Sequence, residues 1–224
     1  MRAAAKAVLF DLDGTLVDTA ADMCAAANAL CAEHGLAPVA LEAFRPMVSK
    51  GGRAMLQFAF GDPGAAVVDE LLPRFLERYG RDIAVHSRLF DGMDAVLAAI
   101  ESSGQRWGVV TNKPEWLARG VLEGLQLDRR CAVLIGGDTL AAKKPDPLPL
   151  REACRRLGIA VGEAIYIGDD ARDIAAARAA PMAAIAAGWG YLEPGVDPGA
   201  WGADAVLPAP AALFTDGWLQ APGG

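Results

Sequence analysis

Short apolar runs recur between stretches of helical spacing, and this alternation restricts the fold more than any other feature of the chain. The runs are "KAVLF" ending at Phe10, "RWGVV" ending at Val110, "AVLIG" ending at Gly136, "AIYIG" ending at Gly168, and "MAAIAA" from Met182. Between them lie "GMDAVLAAIESSG", "PEWLARGVLEGL", "PLPLREACRRLG" and "ARDIAAARAA", whose apolar residues recur at helical spacing. Continuous apolar strands separated by helices predict an α/β fold: a Rossmann-like parallel sheet buried on both faces. Crossovers of that kind are right-handed, so the C-terminal ends of the strands share one edge of the sheet.

Residues 17–89 break the pattern, with the helical stretches "AADMCAAANALCAEHG", "LEAFRPMVSK", "RAMLQFAFG" and "AAVVDELLPRFLERYG" and no convincing strand. They predict a helical cap at 17–89, inserted into a core made of 1–16 and 90–224. Gly14 and the turn "FDGMDA" at 90–95 are where the chain would leave and return. The 224 residues, 53% hydrophobic, suffice for one sizeable core with a smaller inserted lobe. The Pro- and Gly-rich segment from Glu193 to Gly202 reads as a surface loop.

Three of the runs end in polar groups: Phe10 in "DLDG", Val110 in "TNKP", and Ile167 in "GDD". Two acids after a strand can cap a helix, shape a turn, or build a metal and nucleophile site, and a bare DxD does not separate these. Gly14 and Thr15 permit a sharp turn after Asp11 and Asp13, "TNKP" adds a hydroxyl and an amide, "KKP" adds cations, and "GDDARD" returns further carboxylates.

In that order, "FDLDGTLVDT", "VVTNKP", "KKPDP" and "YIGDDARDI" resemble the four motifs of haloacid dehalogenase superfamily phosphatases of the phosphoglycolate phosphatase type. The likeness runs over nearly the whole chain and implies a phosphomonoester hydrolase with a Rossmann-like core and a helical cap inserted after the first motif. By that resemblance Asp11 is the nucleophile and a metal ligand. Asp13 is the general acid and base and lends the metal its main-chain carbonyl. Thr111 and Asn112 hold the transferring phosphoryl group, Lys144 neutralises it, Asp169 completes the metal site and Asp173 supports it. Of the adjacent lysines, Lys144 rather than Lys143 is assigned because it directly precedes Pro145. Asp170 is expected to cap the helix that starts near Ala171, and Asp18 or Thr19 the first helix of the cap. Pro181 stands where relatives have Gly and should shift a helix end.

Electrostatics supplies an independent reason for a cation. Asp11 and Asp169 beside a phosphate dianion repel it by about 4 kcal/mol per unit-charge pair at ~4 Å and an effective dielectric near ~20. Mg²⁺ suits hard oxygen ligands and bridges carboxylate to phosphate, so it is the expected cofactor.

Other classes recede. The net charge of −7 argues against nucleic-acid backbone binding. Cys24, Cys31, Cys131 and Cys154 have no metal-site spacing, and His34 and His86 are the only histidines, so a structural zinc is not expected. The cysteines should be reduced and packed, with Cys24 and Cys31 on one helical face. The opening "MRAAAKAVLFDLDG" reaches acids too soon for a signal peptide and "PMAAIAAGWGYL" is too short to span a bilayer, so a cytoplasmic protein with no membrane partner is expected. The tryptophans read as core or loop anchors. No feature of the sequence specifies an oligomeric state.

The expected partner is a small phosphorylated metabolite, and the cap should choose it. In "VSKGGRAM" two glycines let backbone approach a ligand, while Ser49, Lys50 and Arg53 offer donors to a second anionic or hydroxylated group; an ordinary turn with solvated charges explains the stretch equally well. Phosphoglycolate is the first expectation. The same loop, with "GVVTNKP", "GDDARDI" and the late "WGAD", also resembles N-acetylmuramic acid 6-phosphate phosphatases of cell-wall recycling. A phosphomutase would share Asp11 and Asp13 but exclude water. A dehalogenase is disfavoured, because that branch lacks the acid corresponding to Asp13.

Overall fold

The computed structural model describes residues 5–220 of the chain. The outermost residues of the expected core, 1–4 and 221–224, and with them the start of the segment read as leaderless, lie outside the described residues. In chain order the elements are β1 (Ala7–Phe10), β2 (Val17–Asp18), α1 (Ala20–Glu33), α2 (Leu41–Phe44), α3 (Gly52–Ala59), α4 (Ala65–Arg81) and β3 (Arg88–Leu89). There follow α5 (Met93–Ser102), β4 (Arg106–Val110), α6 (Glu115–Gly124), β5 (Leu134–Ile135), α7 (Leu148–Leu157), β6 (Ala164–Gly168), α8 (Ala171–Ala179), β7 (Ala183–Ala187) and β8 (Ala205–Leu207).

Six strands form one parallel sheet in the order β5-β4-β1-β6-β7-β8. Counting only these strands along the chain gives 3-2-1-4-5-6, the doubly wound order whose direction reverses between the first and fourth strands. That reversal lies between β1 and β6. Phe10 is in register with Val109 on one side and Ile167 on the other, so the residues that follow these strands emerge at one level of the edge.

Period-two alternation sorts the strand residues onto two faces. Val8, Phe10, Trp107, Val109, Ile165 and Ile167 share a core with Met93, Val96 and Ile100 of α5 and Leu117 and Val121 of α6. Ala7, Leu9, Tyr166, Ala184 and Ala186 share the other with Leu150, Ala153 and Cys154 of α7 and Ile174 and Ala177 of α8. Burying Phe10 or Ile167 completely contributes about 1.5–3 kcal/mol apiece, so the strand ends that carry the site are firmly anchored.

In chain order helices α1–α4 fall between β1 and the other five strands of the sheet. Met23, Leu30, Phe44, Leu56, Phe75 and Tyr79 of this insert belong to the same apolar core as Val8 and Phe10. The sequence offered no strand within 17–89, but β2 and β3 pair antiparallel at its two ends, Val17 with Leu89 and Asp18 with Arg88. Two residues per strand carry too little alternation to be read as one. Strand β8 was equally silent, because only Leu207 of its three residues is fully buried. Helix α8 stops at Ala179, and the turn past Pro181, which has no N–H to extend the helix, closes through Met182 N–H to the carbonyl of Ala177 at 2.9 Å.

All four cysteines are free, and Cys24 and Cys31 are both buried along α1. Among the described residues no helix is long and apolar enough to cross a membrane.

Candidate active site

The polar tails of β1, β4 and β6 meet at the sheet edge, beside the reversal in strand order. The Asp11 N–H continues the β1 ladder to the carbonyl of Ile167 at 2.9 Å, which fixes its side chain just beyond the strand. Leu12 then accepts the N–H groups of Leu16 at 3.1 Å and Val17 at 2.9 Å in a tight turn. Gly14 makes that turn with φ 83°, and a Cβ there would overlap Asp169 Oδ2 and lie 2.8 Å from the Tyr191 ring. The chain can therefore pass against the β6 acid only with glycine at this position.

Lys144 is the cation at the centre. Its ammonium lies 2.9 Å from Asp11 Oδ1, 2.7 Å from Asp173 Oδ1 and 2.8 Å from the Tyr166 hydroxyl. Burial is the largest influence on it and opposes its charge, but Asp11 and Asp173 together outweigh burial and hold its pKa above the ordinary lysine range. Lys143, its neighbour, is exposed. Asn112 Nδ2 donates to the Lys144 carbonyl at 2.9 Å, and Thr111, also buried, leads from the end of β4. Asn112 Oδ1 is buried without a hydrogen-bond partner.

Asp169 accepts from Thr15 Oγ1 at 3.0 Å, Ser49 Oγ at 2.9 Å and Tyr191 N–H at 2.9 Å. Burial, then the charges of Asp11 and Asp173, push its pKa up to about 8. Asp170 N-caps α8 by accepting from Arg172 N–H at 2.8 Å, while Asp173 takes the Asp170 N–H in return. Asp11, Asp169 and Asp173 each place an oxygen within 4.8 Å of the others, an acidic cluster that could bind a metal.

Asp13 faces the insert. Its Oδ1 accepts from Thr19 Oγ1 at 2.6 Å, and the buried ammonium of Lys113 lies 3.0 and 3.2 Å from its two oxygens. Thr19 does occupy the N-cap position of α1, but its hydroxyl is committed to Asp13; the N–H groups of Thr19 and Ala20 donate to the Tyr191 hydroxyl instead, at 2.7 and 3.0 Å. Arg53 borders the same cavity, with its guanidinium paired to Asp69 in an exposed ion pair. Ser49 turns to Asp169, Lys50 pairs with Glu193 at 2.7 Å, and Arg172 donates to the Ser49 carbonyl, so the Gly-rich loop rests on the core edge.

The cavity between insert and sheet edge measures about 310 Å³. Asp11, Asp13, Asp173, Thr111, Lys113 and Lys144 line it on the side of the sheet edge, and Met23, Met55, Leu72, Phe75, Leu76 and Leu117 supply much of its apolar lining. Lys113, Tyr166 and Tyr191 had no part in the sequence expectations. A signal existed for each: Lys113 sits inside "TNKP", and a tyrosine in the buried run "AIYIG" or the turn "GWGYL" needs a partner for its hydroxyl.

Residues 8–187 match the family model of the haloacid dehalogenase-like hydrolases. A phosphoglycolate phosphatase of Xanthomonas campestris is 51% identical over 209 residues, covering 93% of this chain and 95% of its own. An N-acetylmuramic acid 6-phosphate phosphatase of Pseudomonas putida is 46% identical, covering 93% of this chain and 94% of its own. The crystal structure of a predicted phosphoglycolate phosphatase from Haemophilus somnus superimposes with a TM-score of 0.83 at 24% identity, over 95% of this chain and 97% of that one, a likeness of fold. With its motif residues gathered at one sheet edge, the chain belongs to the haloacid dehalogenase-like hydrolases, on their phosphatase side.

Proposed function

We propose that the protein is a Mg²⁺-dependent phosphomonoesterase that acts through an aspartyl-phosphate on Asp11. The observation that carries this reading is the convergence of Asp11, Lys144 and the Asp169–Asp173 turn, three separate segments, on one buried point. The donor set fits a hard divalent cation: all its groups are carboxylate oxygens, and among the described residues Lys144 is the one cation bonded within the cluster. Asp169 makes three hydrogen bonds out of roughly four lone-pair sites, which leaves one for a metal. Asp11, Asp169 and the Asp13 carbonyl would hold the ion, with Asp173 in support. A bound Mg²⁺ supplies positive charge to the phosphoryl oxygens.

The chain's own groups account for the rest. An Asp11 oxygen attacks phosphorus while the ester P–O bond breaks, its electron pair passing to the leaving oxygen, which takes a proton from Asp13. Asp13 then takes a proton from water as the water oxygen attacks the aspartyl-phosphate, which restores Asp11 and frees phosphate. Thr111 and Asn112 orient the phosphoryl group and Lys144 offsets its charge. Residues 17–89 act as a cap over 1–16 and 90–224, and Arg53 contributes to substrate binding from the cap's rim. The enzyme is read as cytoplasmic.

Phosphoglycolate is the first substrate reading, supported by the 51% identical relative that bears its name. A specific observation favours the second, N-acetylmuramic acid 6-phosphate: glycolate would fill little of a 310 Å³ cavity lined by both polar and apolar groups, whereas an acetylated, lactyl-bearing sugar would occupy it. The test ranks both among a phosphomonoester panel by kcat/KM, with and without exhaustive chelation. Turnover that requires added Mg²⁺ is expected; metal-independent turnover, or none of any phosphomonoester, would refute the proposal.

A further inference from the structure

We infer that Lys113 is a positioning residue for proton transfer: it holds the Asp13 carboxyl group in place by direct contact from the neighbouring strand's loop. The inference rests on the phosphomonoesterase reading and adds to it a residue with no assigned role.

Lys113 stands two residues past Thr111 on the loop after β4, so it comes from a different strand than Asp13. Its side chain is 5% exposed, and its ammonium meets both Asp13 oxygens, at 3.0 and 3.2 Å. The same ammonium lies 4.4 Å from the centre of the Tyr79 ring, contributed by α4. Lys113 thus bridges an acid of the sheet edge and an aromatic face of the insert. Together with Thr19 Oγ1 on Oδ1, it leaves the carboxylate little freedom to rotate.

Such an ion pair is a poor choice if only stability is at stake. A lysine stripped of water costs about what its partner returns, and an apolar side chain of similar size would serve as well. Orientation is a different matter. When Asp11 attacks phosphorus and the ester bond breaks, the electron pair settles on the leaving oxygen, and in this half of the reaction Asp13 enters as the acid: with Oδ1 held by Thr19 and Lys113, Oδ2 carries the proton that must reach that oxygen. An alkyl ester depends on this transfer because an alkoxide is a poor leaving group. p-Nitrophenyl phosphate depends on it far less, because p-nitrophenolate departs as the anion. Loss of Lys113 should therefore act selectively.

The experiment compares kcat/KM of native protein, Lys113→Met and Lys113→Arg on two substrates: p-nitrophenyl phosphate and the alkyl phosphomonoester the native protein hydrolyses best. This constant covers steps up to leaving-group departure and is blind to later hydrolysis of the aspartyl-phosphate. Lys113→Met is expected to lose about 30-fold on the alkyl ester and about threefold on the aryl ester, less than the ~10²–10⁴ that general acid catalysis supplies in full, because Asp13 itself remains. Lys113→Arg, which keeps a cation over Tyr79, should restore the alkyl-to-aryl ratio to within about threefold of native. If Lys113→Met does not fold, Lys113→Gln is read by the same ratio. A ratio unchanged within about twofold in the neutral variant overturns the inference, since a merely structural role lowers both substrates together. Absence of native turnover on either ester would instead refute the phosphomonoesterase reading.

Discussion

Replacing Lys144 by methionine removes the ammonium that lies between two buried acids, and the cost follows from the geometry. At 2.9 Å to Asp11 and 2.7 Å to Asp173, each pair has a gross attraction of roughly 6 kcal/mol at an effective dielectric of ~20. Much of this offsets the cost of burying the ammonium, so the net loss for breaking such a site from one side is about 3–5 kcal/mol. The Asp173 side chain is 1% exposed, so water cannot take the place of the lysine. A proton can. Burial already raises the Asp173 pKa against the pull of Lys144, and without Lys144 it should rise further. A carboxyl whose folded pKa lies above its unfolded value contributes stability at low pH that is lost as pH climbs through the folded value. The deficit of Lys144→Met should therefore be full near about pH 8 and smaller by roughly 1–3 kcal/mol near about pH 5.5. Urea unfolding followed by far-UV circular dichroism measures it, with Asp173→Asn and the double variant closing a cycle. A coupling of about 2 kcal/mol or more is expected. A deficit under about 1 kcal/mol at both pH values, or additive single changes, would refute the reasoning.

Gly14→Ala should cost about 1–2 kcal/mol for its left-handed backbone, and a drop in kcat/KM on the order of 10²-fold as the new methyl displaces Asp169; native activity in a folded variant would contradict the turn's role. Because the Asp169 pKa is pushed up to about 8, above an unfolded value of about 3.9, the metal-free protein gains stability from a bound proton that is lost as pH rises toward about 8. Mg²⁺ must displace that proton, so its thermal stabilisation should be larger near about pH 8.5 than near about pH 6; equal Tm shifts in the two buffers would argue against Asp169 as a ligand.

The sheet was legible because β1, β4, β6 and β7 are buried on both faces and so read as unbroken apolar runs. Even strand order constrained the site, since parallel crossovers bring Asp11, Thr111 and Asp169 to one edge without reference to side chains. The ribbon at the insert's ends escaped notice because pairing Val17 with Leu89 is decided by tertiary packing, beyond the reach of local periodicity. Arg53 shows a different limit: its residue type offers a donor, but whether the guanidinium serves a ligand or Asp69 depends on a helix sixteen residues away. Lys113 shows the opposite limit. It stood in plain view, but the partner that gives it meaning, Asp13, is a hundred residues earlier in the chain.

The proposed catalysis requires phosphorus to become bonded to Asp11. The most direct measurement quenches turnover in acid within milliseconds and maps the phosphoryl group by peptide mass spectrometry. The label should sit on the peptide containing Asp11, be released by hydroxylamine, and be absent from Asp11→Asn. A trapped label on any other residue, or full turnover by Asp11→Asn, would contradict the account.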